Sequence, residues 1–210
     1  MYLHGIRLLT TVVHVVSSFA SALDSLDQEI WNFFVAHPFF VDGAKAVTSL
    51  GVVTVLLPMA VVAGVVVWWK TRSAVAALVP WVSVQLSTVV IASLKEWTAV
   101  VRPPGEFWLV TAQSGSFPSG HVGNTTALVV SVVFVTFAHF PQHLRKVQVA
   151  GGVAVLAMGW SRLALNVHWF SDVVGGALTG IAIAFVVVRT AERFRFPRVS
   201  QLQTPDQRED

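Results

Sequence analysis

Long stretches without a single charge constrain this chain more than any other feature. Residues 46–69 and 73–94 carry none, and only Lys70-Thr71-Arg72 separates the two runs from each other. A helix that crosses a bilayer needs roughly 20 apolar residues, so the pair reads as a helical hairpin in a membrane. Residues 122–138, 147–161 and 173–188 are shorter runs of the same kind, each extendable by a turn through its polar flanks. Their valine and isoleucine would favour strands in water. A segment in lipid must instead satisfy its own backbone, and helices do so. Asp, Glu, Lys and Arg make up only 12% of the 210 residues, against about 25% in a typical soluble domain. Too few polar groups remain to cover a soluble surface, which argues against a soluble enzyme, a disordered chain or a nucleic-acid-binding module. With no cysteine, disulfides, thiolate metal sites and cysteine catalysis are excluded.

The N-terminal region leaves alternatives open. Residues 8–23 are apolar but short, interrupted by His14 and preceded by Arg7. They fit a marginal first span or a helix lying in the interface. Ala20-Ser21-Ala22 also resembles a signal-peptidase site; an uncleaved span is the reading favoured here. Residues 26–41, with Trp31, Phe33, Phe34, Phe39 and Phe40 among Asp27 and Glu29, have the aromatic-rich make-up of an interfacial helix. The expected fold class is therefore all-α: a polytopic transmembrane helical bundle of six spans, the first marginal, plus an interfacial helix. A single domain is expected over residues 1–198, followed by a polar cytoplasmic tail at 199–210.

Lys and Arg orient such a bundle. With the N-terminus inside, the cytoplasmic segments hold Arg7, Lys70, Arg72, Arg145, Lys146, Arg189, Arg193, Arg195 and Arg198. The other side holds Lys45, Lys95, Arg102 and Arg162, together with Asp24, Asp27, Glu29, Asp42, Glu96, Glu106 and Asp172. The net charge of +3 is thus a topology signal and not a nucleic-acid patch. Trp31, Trp97, Trp108, Trp160 and Trp169 gather near the outer interface, as an aromatic belt would.

Once the topology charges are set aside, a compact polar set remains at the outer ends of four spans. Lys95 closes one span, Arg102-Pro103 follows in an outer loop, and Ser119-Gly120-His121 opens the next span. Arg162 closes another, and His168 and Asp172 open the last. Ionisable groups near membrane depth are costly and usually functional. Three cations without a matching acid cluster fit a multiply charged anion, and Arg is suited to clamping phosphate oxygens. Ser119 fits an N-cap, with Gly120 permitting close backbone approach to an anion at the helix start. His168 and Asp172 are spaced i, i+4, so on a helix they share one face. A carboxylate that fixes a histidine tautomer leaves the other ring nitrogen free to attack phosphorus. His121 is then the group able to protonate a leaving oxygen. Without a carboxylate cluster suited to Mg²⁺, the chemistry expected is phosphoryl transfer with no metal and no cofactor.

At these residues the chain resembles a known family. Lys95-x6-Arg102-Pro103, Pro118-Ser119-Gly120-His121 and Ser161-Arg162-x5-His168-x3-Asp172 are similar to the three-part signature of the type 2 phosphatidic acid phosphatase superfamily, with every position filled. The resemblance covers about residues 26–190. It implies a membrane lipid phosphatase with His168 as nucleophile forming a phosphohistidine, Asp172 as its partner and His121 as general acid. It also implies phosphate binding by Lys95, Arg102, Ser119, Gly120 and Arg162. Vanadium haloperoxidases share the signature but are large soluble proteins, which this composition disfavours.

The function expected is hydrolysis of a lipid phosphate or pyrophosphate at the extracytoplasmic face of the cell membrane. Undecaprenyl pyrophosphate is the first choice of substrate, with phosphatidylglycerol phosphate or phosphatidic acid as alternatives. The partners expected are the lipid substrate and bilayer lipids, with no nucleic acid and an open oligomeric state. A lipid transporter or flippase could use the same cations for headgroup binding. Transporters, however, place charge near mid-membrane at broken helices, whereas this set sits at span ends. Taken singly, Lys95, Arg102 and Arg162 would read as snorkelling anchors. Asn124, Thr125 and Thr126, one turn below His121, are expected to hydrogen-bond between helices, with support of His121 as the alternative, and Gly176-x3-Gly180 to be a packing contact. Glu106, Trp108 and Gln113 are candidates for substrate contact.

Overall fold

A computed structural model describes the backbone of residues 2–195 and the side chains of residues 14–194. The expected tail at 199–210 and the side chains of Arg7, Arg195 and Arg198 lie outside the described residues. Among the described residues the long elements are all α-helices: α1 (Tyr2–Ala36), α2 (Val41–Leu50), α3 (Val53–Thr71), α4 (Ala74–Thr98), α5 (Gly120–His139), α6 (Leu144–Ala164) and α7 (Phe170–Arg195). Five stretches among the described residues are long and apolar enough to cross a membrane, namely α3, α4, α5, Pro141–Ala164 and Phe170–Phe194.

Two expectations about segment boundaries need correction. The first apolar run and the aromatic-rich segment do not separate: α1 runs unbroken through the first and on to Ala36 of the second, leaving Phe39 and Phe40 in the turn before α2. No Pro or Gly stands between Ile6 and His37, so nothing local stops the helix. Pro38 then pushes the preceding residue out of helical conformation. The run over 46–69 is conversely not one helix. It breaks between α2 and α3, with Gly51 as the C-cap of α2 and its N–H bonded to the Thr48 carbonyl at 3.0 Å. Hydropathy carries no trace of that break, because both sides of it are apolar.

Helix α5 occupies the middle of the bundle and packs against α3, α4, α6 and α7. Small side chains permit this. A Cβ at Gly176 of α7 would stand 2.5 Å from the Ser119 carbonyl oxygen, and one at Gly180 would stand 2.8 Å from Thr126 Cβ. Close backbone approach of this kind holds helices together where lipid removes the hydrophobic driving force. The expected hydrogen bonds from this face are not formed: Asn124 Oδ1, Thr125 Oγ1 and Thr126 Oγ1 are buried without partners. The outward faces are apolar, with Val61, Val62, Val65 and Val66 of α3 and Val149, Val153 and Leu156 of α6 all exposed. Such surface belongs against acyl chains.

The tight turn between α3 and α4 is closed at Arg72 in left-handed conformation (φ 55°), and Ser73 caps α4 through Ala76 N–H at 3.2 Å. Lys70 lies 4.5 Å from the Trp69 ring and Arg72 5.4 Å from that of Trp68. The up-down order of α3 to α7 places this turn, the Pro141–His143 turn and the C-terminus of α7 at one end. The C-termini of α4 and α6 and the N-termini of α5 and α7 meet at the other. At that second end, Leu165 and Val167 are buried with Ala44 and Ala164 beneath Trp108, Leu109 and Val110 of the long α4–α5 loop.

Candidate active site

His168 is 2% and Asp172 0% exposed, and Nδ1 of the imidazole lies 3.0 Å from Asp172 Oδ2. The same oxygen accepts the Trp169 backbone N–H at 2.8 Å and the Ser116 hydroxyl. With a carboxylate oxygen facing it, Nδ1 carries the ring proton and Nε2 presents its lone pair. The pair does not share a helical face as its spacing predicts. His168 precedes α7, whose first residue is Phe170, and Asp172 reaches back across the first turn. An acid three residues into a helix that takes the N–H of the residue before it is half of a capping box. One side chain therefore starts α7 and orients the imidazole. Burial, reinforced by the Arg102 and Arg162 charges, lowers the His168 pKa well below the ordinary imidazole range despite the opposing pull of Asp172. The ring is consequently neutral, as a nucleophile must be.

Three cations from three elements gather at this end of the bundle. Arg102, in the α4–α5 loop, places Nη1 3.1 Å from His168 Nε2 and donates to the Val167 carbonyl at 2.5 Å. Its other nitrogens donate to the carbonyls of Ser114 at 3.1 Å and Gly115 at 3.2 Å. Burial lowers its pKa, with Asp172 opposing. Lys95, in the last turn of α4, donates to the Gly115 and Ser116 carbonyls at 2.6 and 3.0 Å. Arg162, on α6, is 4% exposed and donates through Nη1 to Thr48 Oγ1 of α2, while its Nε is unpaired. Lys95 and Arg102 together gather the carbonyls of the 113–116 loop around themselves. That loop, Ala99 and Asn166 include three left-handed residues (Ala99 φ 48°, Ser114 φ 71°, Asn166 φ 57°), the kind of backbone that concentrates at functional sites.

Ser119 sits at the N-cap of α5 as expected, but its hydroxyl makes no capping bond and is buried without a partner. Its backbone N–H donates to the Asp172 carbonyl at 2.9 Å, which ties the starts of α5 and α7 together. Gly120 lies beside the Lys95 stem: a Cβ there would be 4.0 Å from Lys95 Cε. The free N–H groups of this first turn favour an anion. His121 stands one residue further on, against the α2–α3 break. All eight expected site residues thus converge on one end of the bundle, whereas Glu106, Trp108 and Gln113 do not join them. Trp108 donates to the Pro103 carbonyl at 2.9 Å, Gln113 offers Arg102 only its carbonyl, and Glu106 is exposed.

Three contributors escape sequence reading: Ser116 on Asp172, Thr48 on Arg162, and Gly51. A Cβ on Gly51 would meet Met158 Cε and Sδ at 2.6 Å and His121 Cδ2 at 3.0 Å. The end of a methionine can move aside and the imidazole need give only a few tenths of an ångström to an alanine Cβ, whereas the further methyls of a valine would drive it out of the site. Gly51→Ala is expected to retain most activity. Gly51→Val is expected to lower kcat at least about tenfold, overpacking the contact at a cost of about 1–3 kcal/mol. Phosphate release per mole of purified monodisperse protein checks both.

Comparison with known proteins finds relatives over most of the chain. The family model described as the PAP2 superfamily matches residues 10–196. Phosphatidylglycerophosphatase B of Bacillus subtilis (strain 168) is 31% identical over 183 residues, which is 83% of this chain and 88% of that protein. The crystal structure of a transmembrane PAP2 type phosphatidylglycerolphosphate phosphatase from Bacillus subtilis superposes with a TM-score of 0.76 at 28% identity, covering 91% of this chain and 96% of that one. Aquifex aeolicus LpxE shares the fold with a TM-score of 0.62 at 20% identity, over 77% of this chain and 94% of its own.

Proposed function

The chain belongs to the PAP2 superfamily and is a multi-pass membrane lipid phosphatase, and from that premise we propose that it hydrolyses the phosphate monoester of phosphatidylglycerol phosphate through a phosphohistidine on His168. The observation that carries the monoester substrate is the 31% identity, over most of both chains, to a protein named for that activity. Undecaprenyl pyrophosphate, the first expectation from sequence, has no comparable support and becomes an arm of the test.

The mechanism follows from the site. Lys95, Arg102 and Arg162, with the hydroxyl of Ser119 and the N–H groups from Gly120 onward, hold the phosphate oxygens and offset the charge that spreads over them in the transition state. Arg102 swings from His168 Nε2 onto the substrate. Nε2 then forms a bond to phosphorus while the bond from phosphorus to the lipid oxygen breaks, and His121 donates its proton to that oxygen. In the second step water loses a proton to His121 and attacks phosphorus, the N–P bond breaks, and inorganic phosphate leaves. The cations supply the charge stabilisation with no metal, so EDTA leaves the rate unchanged on this reading. Its place on the extracytoplasmic side is supported by the gathering of Lys70, Arg72, Arg145, Lys146, Arg189 and Arg193 at the opposite end.

A substrate panel tests the assignment. Purified protein in EDTA-containing detergent is given phosphatidylglycerol phosphate, phosphatidic acid or undecaprenyl pyrophosphate, and phosphate release is measured. The expected result is a kcat/KM for phosphatidylglycerol phosphate at least about tenfold above the others. Preference for the pyrophosphate would overturn the substrate, and dependence on added Mg²⁺ would overturn the metal-free step.

A further inference from the structure

Helix α7 lacks an ordinary N-cap. The residue before it is Trp169, which has no oxygen in its side chain to take the free N–H groups of the first turn. Asp172 takes the Trp169 N–H from within the helix. The Ser171 N–H, two residues into the motif and the usual target of an N-cap side chain, is taken by a carboxylate from far away in sequence. Asp27 Oδ1 accepts the Ser171 N–H at 2.8 Å and Asp27 Oδ2 accepts the Ser171 hydroxyl at 2.5 Å. Asp27 is 8% exposed. It is a charged group buried in α1, and both of its oxygens are engaged with one residue of α7.

One turn along α1, Trp31 extends the same face. Its ring centroid lies 6.1 Å from that of Trp169 and 5.3 Å from that of Phe107, edge-on to the latter. Trp169 in turn donates through Nε1 to the Val101 carbonyl at 2.9 Å. Residues i and i+4 on one face of α1 therefore hold positions 169 and 171 together, and Asp172 is the next residue along. The carboxylate also places negative charge at a helix N-terminus, where the dipole favours it.

We infer that Asp27 is a positioning residue for phosphoryl transfer, a helix cap supplied in trans that fixes the first turn of α7 and through it the Asp172–His168 pair. The inference rests on the reading of His168 and Asp172 given above. It assigns α1 a part in catalysis beyond anchoring: substrate binding runs through the cations, whereas Asp27 acts on the aim of the nucleophile. Its loss is consequently read in kcat and not in KM.

The test compares Asp27→Ala, Asp27→Asn, Ser171→Ala and the double variant Asp27→Ala/Ser171→Ala with wild type, each as full-length purified protein of matched monodispersity, alongside Asp172→Asn. Asp27→Ala is expected to lower kcat about tenfold with KM within about twofold. Asn still accepts the Ser171 N–H, so Asp27→Asn is expected to recover kcat to within about threefold of wild type. The double variant is expected to match Asp27→Ala, because both changes break the same contact. An unchanged kcat in Asp27→Ala, or a rise in KM that accounts for the whole loss, overturns the inference. If Asp27→Ala does not fold, Asp27→Leu decides, since it fills the same space and accepts no hydrogen bond: a drop in kcat of about tenfold with KM within about twofold supports the cap, and wild-type kcat overturns it. Wild-type activity in Asp172→Asn would instead sink the reading of the catalytic pair on which the inference stands.

Discussion

His168→Ala is expected to abolish phosphate release from lipid substrate, with a fall in kcat on the order of 10⁴-fold or more, as for other enzymes stripped of their nucleophile. Among the described residues this is the only imidazole whose free nitrogen faces Arg102 while its other nitrogen is held by a buried carboxylate, so no neighbour can substitute. Because His168 is buried, alanine leaves a hole beside Asp172. His168→Asn guards against a folding explanation, since an amide can still donate to Asp172 Oδ2, and it is expected to be equally inactive. Both variants are expected to bind a non-hydrolysable lipid phosphonate within a few-fold of wild type, because the three cations remain. Stopped phosphate assays with a binding titration of the phosphonate separate these outcomes.

Asp172→Asn is the second large effect, expected at about 10³-fold in kcat. The carboxylate oxygen accepts from His168, Trp169 N–H and Ser116 together. An amide that turns its nitrogen toward the imidazole selects the wrong tautomer, with the proton on Nε2 and no lone pair for phosphorus. It also removes the negative charge that offsets the cationic ring formed as Nε2 bonds to phosphorus. KM is expected to stay within about threefold, since Asp172 touches no substrate oxygen. Initial rates over a range of substrate concentrations give the two constants. A smaller loss, with KM raised in proportion, would mean that Asp172 merely holds α7 in place.

How much of this was legible in the chain follows from the physics of lipid. Charge is so costly in a bilayer that Lys95, Arg102, Arg162, His168 and Asp172 stand out against apolar runs, and the alternation of helix ends brings them together. The scaffolding behind them carries no such mark. Thr48, which holds Arg162, sits in an uncharged run that reads as continuous helix, and the break at Gly51 is as apolar as its flanks. Ser116 is one hydroxyl in a loop of serines and glycines, and only the folded chain brings it to Asp172. Asp27 reads as one of several outer acids, and nothing local pairs it with a residue 144 positions away. The i, i+4 spacing of His168 and Asp172 predicted contact correctly but for the wrong reason, because a capping turn and not a helical face makes it.

Covalent trapping tests the central claim most directly. Protein mixed with lipid carrying ³²P in its terminal phosphate, then quenched in alkali within milliseconds, should retain label on a single peptide containing His168. That label should be stable to alkali and lost in acid, as a phosphoramidate is, and absent from His168→Asn. Label at any other residue, or turnover by wild type in the presence of EDTA with no labelled protein at any quench time, would contradict a phosphohistidine at this site.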